Sequence, residues 1–124
     1  MTTLVGCTIL VVEDEPLVAM DIADAMKKAG AQVIIARTLE AAMGQAGSAQ
    51  LTAAVIDHSL HDGLTTSDVC AKLKERAIPF IVYSGFSELE GACADGKLVQ
   101  KPATPEMLLA TLQGVLAPQQ RTIN

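Results

Sequence analysis

Short apolar runs alternate with longer amphipathic stretches along this chain. The runs cover residues 8–12, 32–36, 53–56 and 80–83, with a weaker fifth at 97–100. The first and fourth are almost continuously apolar and rich in β-branched residues, the pattern of strands buried on both faces of a parallel sheet. Helical signals lie between the runs. Glu13-Asp14-Glu15-Pro16 places acids and a proline where a first turn starts; Val18, Ile22, Ala25 and Ala29 then share a face, and Gly30 ends the helix. Thr38-Leu39-Glu40 opens a second, alanine-rich helix, and Thr65-Thr66-Ser67-Asp68 a third, with Val69 and Leu73 on its apolar face. Thr104-Pro105-Glu106 supplies a cap, a proline and an acid for the last helix, faced by Leu108, Leu109, Leu112 and Leu116.

The fourth interval is weak. Residues 84–101 must hold a loop, a helix and a strand, yet include Gly85, Gly91 and Gly96. One or two helical turns are expected there. Residues 118–124 read as a polar tail after a core of about 8–117. Five β–α repeats with right-handed crossovers predict an α/β fold: a doubly wound, three-layer sandwich on a parallel five-stranded sheet of order 2-1-3-4-5, with a short or mobile fourth helix.

Composition narrows the function. The 124 residues make one domain, and half of them are apolar, enough to bury a core without staples. The net charge of −5 and the small number of aromatic residues (Phe80, Tyr83, Phe86) argue against a nucleic-acid partner. No apolar run approaches membrane-spanning length, and the amino-terminal residues lack the basic stretch of a signal peptide, so a cytoplasmic protein off the membrane is expected. Cys7, Cys70 and Cys93 show no paired spacing and are expected to be reduced, packed thiols.

The chemistry lies at the ends of the runs. The first ends in Glu13-Asp14, the third in Asp57, the fourth in Ser84 and the fifth in Lys101. In an open α/β sheet, ligand sites form beyond the carboxyl ends of the strands, where the strand order reverses. Order 2-1-3-4-5 makes the first and third strands neighbours there, so Glu13, Asp14 and Asp57 converge, with Ser84 and Lys101 alongside. Three close carboxylates suit a hard divalent cation such as Mg²⁺, and a carboxylate can act as a nucleophile that forms an acyl phosphate. A lysine and a hydroxyl would then hold the phosphoryl oxygens. Each element alone has a plainer explanation: a helix cap, a turn aspartate, a Ser-Gly turn, a Lys-Pro loop. Their combination in order, each at a strand end, favours the functional one.

Glu13-Asp14-Glu15-Pro16, the stretch from Asp57 to Gly63, Ser84-Gly85 and Lys101-Pro102 together resemble the receiver domain of bacterial response regulators, over about residues 8–116. The resemblance implies that Asp57 is the phosphoacceptor of a two-component phosphorelay. Glu13 and Asp14 would organise Mg²⁺ with Asp57 and the Ser59 carbonyl, Ser84 would contact the phosphoryl group, and Lys101 would pair with it across a cis Lys101–Pro102 bond. It further implies a histidine kinase or phosphotransfer protein as donor, docked near the first helix, and at most autophosphorylation from phosphodonors and slow autophosphatase activity. With no effector segment after Leu116, output is expected through an unknown downstream protein, from a monomer or weak dimer.

Two departures stand out. His61 occupies a position where many receivers carry proline, and a modest role in dephosphorylation is hypothesised for it. Leu98 stands where many carry the aromatic residue whose inward swing follows phosphorylation, and residues 84–101 are fewer than usual. A pseudo-receiver, an interaction module independent of phosphorylation, is therefore the alternative. A small Mg²⁺-dependent hydrolase lacks the spare length for a pocket. A zinc site at His58-x-x-His61 lacks further ligands nearby in sequence, and no phosphate loop for a flavin follows the first strand.

Overall fold

The computed structural model describes residues 3–60, 64–89 and 91–121, the side chains of 118–121 aside. Strands β1 (Thr8–Val12), β2 (Gln32–Ala36), β3 (Ala53–Asp57), β4 (Phe80–Ser84) and β5 (Lys97–Gln100) pair in parallel, in the order β2-β1-β3-β4-β5. The helices are α1 (Pro16–Lys28), α2 (Leu39–Ser48), α3 (Ser67–Glu75) and α4 (Pro105–Arg121).

The two-residue period of each central strand divides its side chains between two cores. Ile9, Val11, Ala53, Val55, Ile81, Tyr83 and Val99 face α1 and α4, where Ile22, Met26, Leu108, Leu112 and Leu116 cover them. Leu10, Val12, Ala54, Ile56, Phe80 and Val82 face the other way, under Ala42, Ala46, Val69, Cys70 and Leu73 of α2 and α3. The result is the expected three-layer sandwich. Truncating a fully buried member such as Ile56 or Leu112 to alanine would cost about 2–5 kcal/mol.

Local signals explain where the helices start and stop. Pro16 sits in the first turn of α1, and the Thr38 hydroxyl caps α2 by accepting from the Ala41 amide at 3.0 Å. Arg76 closes the far end of α2 by donating to the Ala46 and Ala49 carbonyls at 2.6 and 2.9 Å. Gly30 turns the chain at φ +105° against Val5, where a side chain would collide.

Three expectations need correction and one holds. The buried face of α1 is Ala19, Ile22, Ala23 and Met26, whereas Val18 is exposed; the stripe is rotated because α1 packs against both the sheet and α4. The fourth interval is as short as expected: among its described residues it holds one 3₁₀ turn, Gly91–Asp95, in place of a full helix. The last helix runs on to Arg121, into the stretch read as a tail. Finally, Cys70 and Cys93 are not separate thiols: they form a disulfide, with Cα atoms 5.1 Å apart and a sequence separation of 23. Sequence spacing gave no sign of it, because packing of the 3₁₀ turn on α3 brings the pair together. Cys7 is free and buried.

Candidate functional site

The row of side chains facing α1 and α4 continues past the strand ends. Glu13 follows Ile9 and Val11 in phase, Asp57 follows Ala53 and Val55, and Lys101 follows Val99. The backbone keeps them in register: Glu13 N donates to the Ala36 carbonyl at 3.1 Å, and Lys101 N to the Ser84 carbonyl at 2.7 Å. Asp57 pairs directly with Tyr83 across β3 and β4. One row of the pleat thus brings Glu13, Asp57, Tyr83 and Lys101 to the same side of the carboxyl edge.

The acidic cluster forms as anticipated. One carboxylate oxygen from each of Glu13, Asp14 and Asp57 lies within 4.8 Å of the others. Asp57 and Glu13 are buried and Asp14 is half-buried. Lys101 Nζ lies 3.0 Å from Asp57 Oδ1, and the Ser59 amide donates to the same oxygen at 3.3 Å. The cluster lines a cleft of about 590 Å³ that also includes Val18, Tyr83 and Pro102. The Lys101–Pro102 bond is cis.

Glu13 is held from several sides. Its Oε1 accepts from the Tyr83 hydroxyl at 2.5 Å, and its Oε2 from the Glu15 amide at 3.1 Å. Burial pushes the Glu13 carboxyl up to about 7, and the neighbouring Asp57 and Asp14 carboxyls act in the same direction; the Tyr83 and Glu15 hydrogen bonds pull it down. Burial, then the hydrogen bond to Glu13, drives the Tyr83 hydroxyl far above its ordinary value, so it stays a neutral donor.

Ser84 ends β4, buried, and its Oγ accepts from the Phe86 amide at 3.0 Å. Ser59 is exposed, with its hydroxyl 3.3 Å from His58 Nδ1. His61 lies outside the described residues. Two contributors escaped the sequence reading. In sequence Tyr83 reads as an aromatic of an apolar run, although its phase with Asp57 along paired strands is a usable signal. Thr66, fully buried, places its hydroxyl 3.0 Å from the Asp57 carbonyl and 3.1 Å from the His58 carbonyl, steadying the loop behind the aspartate. No spacing rule foretells that contact.

No protein-family model and no curated protein matches this sequence. Solved structures do. A CheY-like response regulator receiver domain protein from Methanospirillum hungatei superposes with a TM-score of 0.80 at 22% identity, covering 94% of this chain and 98% of that one. This chain has the fold of a CheY-like receiver domain. A response regulator receiver protein from Sinorhizobium medicae gives a TM-score of 0.77 at 23% identity, with 90% and 94% covered. The response regulator PhyR from Brucella abortus gives 0.77 at 28% identity; 94% of this chain matches, spanning 50% of that protein. Among the described residues, no helix of this receiver fold is long and apolar enough to cross a membrane.

Proposed function

We propose that this chain is a phosphorylation-controlled signalling module in which Asp57 accepts a phosphoryl group from a histidine kinase or histidine phosphotransfer protein. An Asp57 carboxylate oxygen attacks phosphorus; the new O–P bond forms as the N–P bond of the phosphohistidine breaks, and the imidazole keeps the electron pair. Lys101, already at Asp57, would offset the charge of a phosphoryl oxygen, and the Ser84 hydroxyl would turn from the Phe86 amide to contact another.

The donor set fits a hard, oxygen-seeking cation. Glu13, Asp14 and Asp57, with the Ser59 carbonyl, would hold Mg²⁺, which when bound supplies positive charge to the transferring group. The observation that carries the proposal is the convergence of Glu13, Asp14 and a paired Lys101 on the buried Asp57. Val18 of α1 lines the cleft, and Leu17, Val18 and Met20 stand exposed on that helix, which suits a donor protein docking there. Output would pass through a partner protein, with residues 86–96 as the responding surface; unchanged amide exchange there on phosphorylation would count against that role.

A pseudo-receiver reading draws on Leu98 and on the single 3₁₀ turn, disulfide-bonded to α3. Beryllofluoride separates the two readings. A Mg²⁺-dependent beryllofluoride complex, followed by fluorine NMR and absent in Asp57→Ala, supports the phosphoacceptor. No complex with the folded wild-type protein favours the pseudo-receiver.

A further inference from the structure

One side chain touches both halves of the site. The Tyr83 hydroxyl donates to Glu13 Oε1 at 2.5 Å, and the Tyr83 ring lies beneath Lys101, whose Nζ stands 5.2 Å from the ring centroid while paired with Asp57 at 3.0 Å. Tyr83 is buried, so neither contact is a chance surface encounter. A phenylalanine of the same shape would fill the core equally well but leave Glu13 Oε1 without this donor.

We propose that Tyr83 is a positioning residue that joins the cation side of the site to the phosphoryl side. Its hydroxyl fixes the Glu13 carboxylate toward the cleft and keeps one oxygen occupied, leaving the carboxylate with a single orientation. Its ring face supports the Lys101 ammonium above Asp57 through a cation–π contact. The inference rests on the cation-dependent phosphoacceptor reading above and adds a residue to it. The chain contains one tyrosine and no tryptophan, so near-ultraviolet tyrosine absorbance reports on this group alone.

The test titrates Mg²⁺ into wild type and Tyr83→Phe by calorimetry, with the tyrosine difference spectrum of wild type recorded in parallel. Losing a hydrogen bond to a charged partner predicts Mg²⁺ binding about tenfold weaker in Tyr83→Phe. Phosphoryl uptake from acetyl phosphate should return to the wild-type level at saturating Mg²⁺, so the concentration required rises while the maximal rate stays. The wild-type tyrosine spectrum should shift in step with calorimetric occupancy. Equal Mg²⁺ affinity in a folded Tyr83→Phe, even with a lowered melting temperature, would reduce Tyr83 to a core filler and overturn the inference. If that variant does not fold, a wild-type tyrosine spectrum unchanged at saturating Mg²⁺ overturns it equally. A wild-type protein that binds no Mg²⁺ is a separate failure: it removes the cation-dependent reading itself, and this inference with it.

Discussion

At the carboxyl ends of β1, β3 and β5, functional groups stand on backbone that is still hydrogen-bonded to a neighbouring strand, in one phase of the pleat. Between β4 and β5 the chain has three glycines and, among the described residues, one 3₁₀ turn and a disulfide to α3. The first region is held by the sheet, the second by a covalent tie and close packing. Precision is therefore built into the sheet. Groups that must meet within a few ångströms are set by strand register, whereas the connecting segment is free to be short so long as it is fastened.

That comparison can be tested by loosening each region in turn. Removing the disulfide in Cys70→Ala/Cys93→Ala should have the largest effect, about 3 kcal/mol of stability for a loop of this length. The loss should appear in denaturant unfolding while Mg²⁺ affinity stays near wild type; a large fall in affinity would mean that the regions are not independent.

A similar magnitude is expected from Glu13. Its folded value is raised to about 7, so the folded, metal-free protein binds this proton more tightly than the unfolded chain does. That contribution is fully present below about pH 4.5 and is lost as pH rises through 7, a decline of about 3 kcal/mol at most. Mg²⁺ should flatten the decline. Stability measured across this range that rises with pH, in a background where other groups are matched by Glu13→Gln, would contradict the assignment.

Smaller still is Gly96→Ala. A methyl group there would meet the Phe80 ring and carbonyl, and overpacking of this kind costs about 1–3 kcal/mol. The expected result is a lower melting temperature from displacement of the entry to β5. Thr66→Val is the mildest, about 1 kcal/mol for the lost hydroxyl contacts behind Asp57. An unchanged melting temperature would show that the loop is steadied by other contacts.

The same contrast explains what the sequence disclosed. Strands announce themselves through apolar runs, and a parallel sheet puts strand-end residues together, so Glu13, Asp14, Asp57 and Lys101 could be placed side by side from pattern alone. The α1 stripe was offset because Val18 lies at the cleft and not over the core. Tyr83 was legible in phase but passed over, since a tyrosine in an apolar run reads as core. The Cys70–Cys93 bond and the Thr66 contacts depend on how loops return to the sheet, which neither periodicity nor propensity encodes.

The most direct measurement is the intact mass of the protein after incubation with Mg²⁺ and acetyl phosphate, beside Asp57→Asn and a sample with Mg²⁺ chelated. One added phosphoryl group, labile to hydroxylamine, is expected on wild type and none in either control. An adduct that persists in Asp57→Asn, or forms equally without Mg²⁺, would contradict the assignment of Asp57 and of its acidic cluster.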